Sequence, residues 1–331
     1  MSFVQAEFLL FFAVVWALYW SPLGRRGQNA VLVLASSVFY GWVHPAWVVL
    51  LYSSAGVDFA MGQLMVRSPK FKRVWLGLSL LTNLGLLFWF KYFDFFLGNV
   101  VTALTALGIP AHAGTLGLLL PAGLSFYTFQ TMSYTLDIYR GELKPRTSLL
   151  DYLAFVSFFP QLVAGPIERA ARLLPQLEVA RRFRWSNLRD GFGLALWGAF
   201  KKVAIADTLA PYVDKAFLLD DPAGPVVWAA TTGFMLQLYA DFSGYTDLAR
   251  GTARMLGIDL VRNFDEPYLA ATTQEFWQRW HISLSTWIRD YLLTPLLGNA
   301  AEIGPARFVF AVTVTMVVMG LWHGAGWNFV L

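Results

Sequence analysis

Four histidines carry most of the acid–base chemistry open to this chain of 331 residues, which has no cysteine. Without a thiol there is no thiolate nucleophile and no thiolate metal site. His44 lies beside Pro45 in a short connector and His112 lies in a polar loop, and both read as solvated loop residues. His323 differs. It follows the predominantly apolar run from Phe308 to Trp322, in the sequence Leu321-Trp322-His323-Gly324-Ala325-Gly326-Trp327. An ionisable residue in an apolar span is a functional candidate because its burial is costly. The competing reading is a structural histidine hydrogen-bonded to a neighbouring helix. His281 stands in Gln278-Arg279-Trp280-His281-Ile282-Ser283-Leu284-Ser285. No histidine or carboxylate stands at metal-ligand spacing beside either residue, which points to proton transfer rather than to a metal site. An imidazole titrating near neutral pH can take a proton from a hydroxyl and return it. Asp241 and Asp247 read as ion-pair partners of Arg250 or Arg254. Ser125, Ser243 and Ser285 have no His–acid arrangement nearby in sequence, so a serine nucleophile has little support.

The elements that must hold these residues are set by composition. Hydrophobic residues make up 57% of the chain and charged residues 14%, against roughly 25% charged in a soluble domain. A soluble exterior could not be built from so few polar residues, and disorder and a disulfide scaffold are excluded with it. A polytopic membrane protein remains, and the 14 Trp and 13 Tyr fit the bilayer–water interface. The net charge of +4 reads as a topology signal rather than a nucleic-acid footprint. A crossing helix needs about 20 mostly apolar residues. Phe8 to Trp20, Val31 to Tyr40, Trp47 to Val66 and Val74 to Phe96 are the first candidates, the last with Lys91 and Asp94 near its end, within snorkelling reach. Arg25 and Arg26 in one connector, and Arg67, Lys70, Lys72 and Arg73 in the next but one, place those connectors in the cytoplasm and the N-terminus outside.

The middle of the chain is less regular. Leu116 to Tyr139 is apolar but broken by Pro121 and Gly123. Leu149 to Val163 is short, closed by Pro160 and Gly165-Pro166, and bounded by basic residues on both sides, which predicts a re-entrant or in-plane element. Later spans are expected over Leu188 to Leu218, Val226 to Leu248 and Phe308 to Leu331. Taken as one helix at roughly 100° per residue, Phe276 to Tyr291 places Phe276, Trp277, Trp280, Leu284, Trp287, Ile288 and Tyr291 in one arc. His281 then sits at the edge of that arc beside Gln278 and Ser285, on an interfacial or cavity-lining helix. No internal repeat or linker divides residues 1–331, which read as a single membrane-embedded domain.

Six motifs now carry a resemblance. They are Gly123-Leu124-Ser125-Phe126-Tyr127-Thr128-Phe129-Gln130 leading to Asp137-Ile138-Tyr139-Arg140; Phe158-Phe159-Pro160-Gln161-Leu162-Val163-Ala164-Gly165-Pro166-Ile167; Asp241-Phe242-Ser243-Gly244-Tyr245-Thr246-Asp247; Asn263-Phe264-Asp265-Glu266-Pro267-Tyr268; Glu275 to Ser285 with Arg289-Asp290-Tyr291; and Leu321-Trp322-His323-Gly324. In this order they resemble the membrane-bound O-acyltransferases, and within them the bacterial branch of alginate O-acetyltransferases and teichoic-acid D-alanyl transfer proteins. The resemblance implies an all-α multi-helix bundle with re-entrant and in-plane helices around a tunnel. It implies a catalytic His323 and a second active-site position at His281, which is Asn or Asp in other branches. It also implies an activated acyl donor on the cytoplasmic side, acetyl-CoA or similar, as substrate with no bound cofactor. Relatives of this branch continue beyond the histidine-glycine motif, whereas this chain stops in an apolar run at Leu331, so it is expected to lack the C-terminal spans.

The expected function is O-acetylation of an exported polysaccharide such as alginate, from a bacterial inner membrane. Transfer of D-alanine or another acyl group to a wall polymer is the alternative, and a transporter, which would show related halves, the less favoured one. The longest external loop, between Leu97 and Leu116, offers no polymer-binding domain. A separate periplasmic acyltransferase or esterase-like partner is therefore expected, and no nucleic acid. The topology is testable, because the chain has no cysteine of its own. A cysteine placed at Ser68 should resist an impermeant thiol reagent in intact cells and react after permeabilisation; labelling in intact cells would reverse the assignment.

Overall fold

The computed structural model describes residues 1–112, 114–298 and 303–330. Among them every regular element is helical. α1 (Ala6–Tyr19), α2 (Arg25–Gly41) and α3 (Ala46–Arg67) occupy the first three expected spans. α2 begins at Arg25 rather than Val31, so Arg25 and Arg26 form its first turn instead of a connector. α4 (Lys72–Leu87), a π-helical turn (Phe88–Tyr92) and α5 (Phe93–Ala106) belong to one long helix, Pro69–Ala106. Then follow α6 (Leu124–Arg140), α7 (Leu149–Ser157), α8 (Phe159–Leu162) and α9 (Ala170–Leu177). α10 (Trp185–Ala199) runs through a second π-helical turn (Phe200–Ala206) into α11 (Asp207–Phe217), and α12 (Gly224–Met255) is 32 residues long. α13 (Thr273–Arg279), α14 (Ile282–Ile288), a third π-helical turn (Arg289–Leu293), α15 (Thr294–Leu297), α16 (Pro305–His323) and α17 (Trp327–Val330) complete the order.

α3, the helix from Pro69 to Ala106, and α16 are long and apolar enough to cross a membrane, and α1 is a shorter apolar helix. Their outward faces carry large apolar side chains. Leu9, Leu10, Val14 and Leu18 on α1, Leu81 and Leu84 on α4, and Val309 and Phe310 on α16 are all exposed. Exposed apolar faces of this kind suit lipid and not water. The chain is an all-α polytopic membrane protein.

The chain divides into two compact units, each assembled from two stretches: Met1–Val49 with Ser148–Ser283, and Leu50–Thr147 with Leu284–Leu331. In the first unit α10 and α12 pack antiparallel through glycines seven residues apart on each helix. A Cβ on Gly198 would lie 2.6 Å from the Gly244 carbonyl oxygen, and one on Gly191 would lie 2.7 Å from that of Gly251. Small residues at such a spacing let two backbones touch where no hydrophobic effect drives helices together. The polar residues of this unit are paired. Asp151 of α7 accepts from Arg25 at 2.9 Å and from Asn29 at 2.6 Å, while Arg181 donates to Asn29 at 2.6 Å and to the Tyr19 hydroxyl at 2.7 Å. Part of the arginine-rich stretch after α8 is thus built into the interior. The break between α7 and α8 falls at Phe158, and the Phe159 N–H that leaves the helix donates to Ser36 Oγ at 3.1 Å. Phe155, Phe158 and Phe159 are fully buried. A broken helix wrapped in protein matches the irregular element expected from Leu149 to Val163.

In the second unit α6 is the buried centre, although it carries Thr128, Thr131, Ser133, Thr135 and Asp137. The sequence reads residues 116 to 139 as one broken apolar stretch, but only the part from Leu124 is helical. Residues 116–121 form no helix or strand and 122–123 turn; Gly123, with φ 76°, precedes the start of α6, and Gly141 at φ 83° ends it. The closing bonds, Glu142 N–H to Asp137 O at 2.9 Å and Gly141 N–H to Ile138 O at 3.1 Å, form a Schellman cap that needs a left-handed residue. Asp58 of α3 is fully buried. It accepts from Ser79 Oγ at 2.6 Å and from Asn83 Nδ2 at 2.8 Å, and Thr131 of α6 donates to Asn83 Oδ1 at 3.0 Å. This network ties α3, α4 and α6 together with polar bonds.

The glycine contacts predict a split between two substitutions in α10. Gly198→Ala should lower the unfolding stability of the detergent-solubilised protein by about 1–3 kcal/mol, since the added methyl meets backbone. Gly193→Ala, where nothing lies within 4 Å, should leave it unchanged or raise it by up to about 1 kcal/mol. Equal effects would contradict the packing.

Candidate functional site

His281 belongs to the first unit, and its backbone is the unusual feature. The expected continuous helix from Phe276 to Tyr291 does not form: α13 ends at Arg279, His281 has φ 42°, and α14 starts at Ile282. The reason is lateral pairing with Asn263 and Asp265. Ile282 N–H donates to Asn263 O at 2.9 Å, Ser283 N–H to Asn263 Oδ1 at 3.1 Å, and Asp265 N–H to Arg279 O at 3.0 Å. These bonds compete with helical ones and win. A non-glycine residue in this region is strained by about 1–3 kcal/mol, and His, Asn and Asp tolerate it better than most. The cost is typical of positions held for function.

The break turns the imidazole inward. His281 is 2% exposed, and its ring meets the Phe242 ring edge to face at 4.7 Å between centroids. Its Nδ1 lies 3.3 Å from Asn263 Oδ1. That oxygen already accepts from Ser283 N–H, so it is an acceptor to the ring as well. Nδ1 therefore carries the proton of the neutral imidazole and Nε2 is the basic nitrogen. His281 is accordingly buried rather than interfacial, and Gln278, expected beside it, is exposed. Ser283 Oγ accepts from Ile167 N–H at 3.0 Å, and Phe264 packs on Phe242 at 5.1 Å. Four of the sequence motifs thus converge here.

Nearby charges in this unit are structural. Asp247 pairs with Lys201 at 2.7 Å and with Arg250 at 3.3 Å, while Asp241 pairs with Lys202 at 2.6 Å. Arg254 pairs instead with Asp259. The lysines come from the π-helical turn of Phe200–Ala206, which sequence spacing does not reveal. Glu168, in the connector before α9, has a fully buried side chain and accepts from Val261 N–H and from Arg172 at 3.1 Å. Burial pushes its carboxyl up to about 7, against the opposing pull of Arg172 and of the Val261 N–H.

His323 belongs to the second unit and is the last residue of α16, because Gly324 continues in an extended conformation. Its side chain is exposed at the helix end rather than buried within the span, while the preceding Trp322 is buried. The last carbonyls of a helix lack helical partners. Here two are taken by one neighbouring helix: Tyr92 OH donates to Leu321 O at 2.7 Å, and Lys91 Nζ donates to Trp322 O. Lys91 also lies 3.4 Å from Ser125 Oγ. The sequence places Lys91 and Asp94 near the end of a span, but that helix continues to Ala106 and they lie within it. Each charge finds polar partners in the protein, Asp94 on the Leu116 and Gly117 N–H groups at 2.8 and 3.1 Å.

Aromatic stacking fixes the rest. The Trp322 ring stacks on Phe129 at 5.6 Å and meets Phe126 edge-on at 5.4 Å, and Phe129 stacks on Trp287 at 4.0 Å. Trp287 Nε1 donates to Phe129 O at 2.9 Å. The His323 ring lies 5.0 Å from that of Trp322, edge to face. At the other end of α6, Tyr291 OH donates to Asp137 Oδ1 at 2.6 Å and Arg140 donates to Asp290 O at 3.0 Å. The remaining motifs therefore meet along α6. An imidazole on so rigid a helix end can take and return a proton at a fixed point. Asn263, Lys91 and Tyr92 were not singled out from sequence as site residues. The visible signal for Lys91 was a lone charge in an apolar run.

Comparison with known proteins finds relatives among acyl-transfer proteins. The chain is 38% identical over 337 residues to the probable alginate O-acetylase AlgI of Azotobacter vinelandii, covering 100% of this chain and 66% of that protein. It is 37% identical over 333 residues to the peptidoglycan O-acetyltransferase of Helicobacter pylori, covering 91% of this chain and 61% of the relative. It is 29% identical over 239 residues to the teichoic acid D-alanyltransferase of Streptococcus thermophilus, covering 67% and 56%. The chain spans less than two thirds of the length of these relatives. Residues 142–331 match the membrane-bound O-acyltransferase (MBOAT) family, and with the ordered motifs around His281 and His323 the chain belongs to that family.

Proposed function

We propose that the protein is an O-acyltransferase that moves an acetyl group from a cytoplasmic activated donor, acetyl-CoA or a similar thioester, for O-acetylation of an exported polysaccharide such as alginate. The observation that carries this reading is His323, an imidazole held at the end of an apolar helix by Lys91, Tyr92 and the Phe126–Phe129 stack. An acceptor hydroxyl is a poor nucleophile until its proton is removed as the new bond forms. A neutral His323 in hydrogen-bond reach supplies that assistance, typically worth about 10²–10⁴-fold. His281 orients the acceptor, with Nε2 as the basic nitrogen in the tautomer set by Asn263. Acetyl is favoured over D-alanyl because the acetylase and acetyltransferase relatives are 37–38% identical over most or all of the chain, and the D-alanyltransferase 29% over 67% of it.

The setting is the bacterial inner membrane with the N-terminus on the periplasmic side. The described residues of the connector between α5 and α6, 107–112 and 114–123, form no helix or strand. A separate periplasmic acyltransferase or esterase-like protein is therefore proposed to complete delivery to the polymer.

Membranes holding the full-length protein and labelled acetyl-CoA should yield labelled polysaccharide. His323→Ala, accumulating at the normal level, should yield none; label in the polymer at the wild-type rate would end the proposal. The His281 backbone gives a second prediction. His281→Asn should keep more activity than His281→Ala, since Asn tolerates the left-handed backbone and keeps a donor and an acceptor. His281→Gly relieves the backbone without restoring the side chain and should stay at least about tenfold below wild type. Full activity in the Gly variant would make His281 a backbone residue only.

A further inference from the structure

We infer that Lys91 is a catalytic residue, the cation that receives the negative charge developing on the acyl carbonyl oxygen during transfer. The inference rests on the acyl-transfer reading above and extends it to a residue outside the motifs that carry the family resemblance.

Lys91 lies well inside a helix long enough to cross the membrane, Pro69–Ala106. Among the described residues its contacts are the Trp322 carbonyl, the Ser125 hydroxyl at 3.4 Å, and the ring faces of Tyr92 and Trp322 at 5.7 and 5.8 Å. None of these is an anion. The acidic residue nearest in sequence, Asp94, is occupied by two backbone N–H groups. The other two lysines deep in long helices, Lys201 and Lys202, each have a carboxylate within 2.7 Å. An ammonium in a span is costly, and such residues mark functional sites. Among the described residues Lys91 has only neutral partners, and an oxyanion formed during the reaction would supply the counter-charge.

The local geometry supports this. Lys91 sits in the π-helical turn Phe88–Tyr92, a distortion found frequently at functional sites. The turn brings Lys91 onto the carbonyl of the residue immediately before His323. An ammonium has three N–H donors. Two face Trp322 O and Ser125 Oγ, and one remains for a ligand beside His323.

The step balances as follows. The acceptor oxygen forms a bond to the thioester carbonyl carbon while His323 takes its proton. The carbonyl π pair moves to oxygen, and the Lys91 ammonium stabilises that oxyanion. Return of the pair re-forms the carbonyl and breaks the C–S bond, and the departing thiolate takes the proton from the His323 imidazolium. Because the contact strengthens only as the oxyanion forms, its loss falls on kcat rather than on KM.

The test uses full-length protein in membranes that also contain the polymer, with labelled acetyl-CoA as donor. Lys91→Met should lower kcat by about 10²–10³-fold, the usual effect of removing one oxyanion donor, with the KM for acetyl-CoA within about threefold of wild type. Lys91→Gln keeps a donor to Trp322 O without the charge and should be equally slow, and Lys91→Arg should exceed both by at least about tenfold. Tyr92→Phe, which removes only the neighbouring carbonyl clamp, should stay within about tenfold of wild type. Near-normal kcat in the Met or Gln variant would overturn the inference. So would equal losses in Lys91→Met and Tyr92→Phe, which would leave Lys91 as a clamp on the helix end. If wild-type membranes transfer no acetyl group, the functional reading fails first and this inference falls with it.

Discussion

Backbone amides and carbonyls at membrane depth have no water to bond, so every departure from a helix must be met by another group in the protein. That constraint organises this structure. Where α7 breaks, Ser36 takes the Phe159 N–H; where the chain turns toward α9, Ser283 takes the Ile167 N–H; where α13 stops, Asn263 serves Ile282 and Ser283. Where α16 ends, Tyr92 and Lys91 take its last carbonyls. Both candidate histidines stand at such places. A residue inside a regular helix presents its side chain with its neighbours; a residue at a break can be aimed separately, and the partners that satisfy the break also hold its direction.

The same economy governs charge. Lys201, Lys202 and Asp151 are each matched by an opposite charge, while Asp58 is surrounded by neutral donors. Leaving a buried charge with no partner would cost several kcal/mol. Among the described residues Lys91 differs in having only neutral partners, one of them the carbonyl of the residue before His323. Close glycine contacts between α10 and α12 do the packing work that apolar burial cannot do in lipid.

Much of this was legible in the sequence. The low charge content established a membrane protein, apolar run lengths found α1 and α3 nearly to their ends, and the proline and glycine breaks marked the irregular element at Phe158. The failures share a cause. Periodicity read Phe276 to Tyr291 as one helix because it knows nothing of Asn263, distant in sequence, whose bonds interrupt it. Leu116 to Gly123 read as part of a span because its apolar residues outweigh the Gly123 turn that delays α6. Lys91 and Asp94 read as snorkelling charges because their partners, Trp322 and residues 116–117, lie far along the chain. Motif order points to His281 and His323; the left-handed backbone of one and the helix-end position of the other depend on contacts distant in sequence.

The central claim is that His323 acts through its basicity and not through its hydrogen bonds alone. The most direct measurement is the acetyl-transfer rate of full-length His323→Gln in membranes where it accumulates to the wild-type level. Glutamine keeps a hydrogen-bond donor and acceptor but cannot take up the acceptor's proton. The account predicts a rate lower by at least about 10²-fold. A rate near that of the wild type would contradict it and make His323 a structural residue.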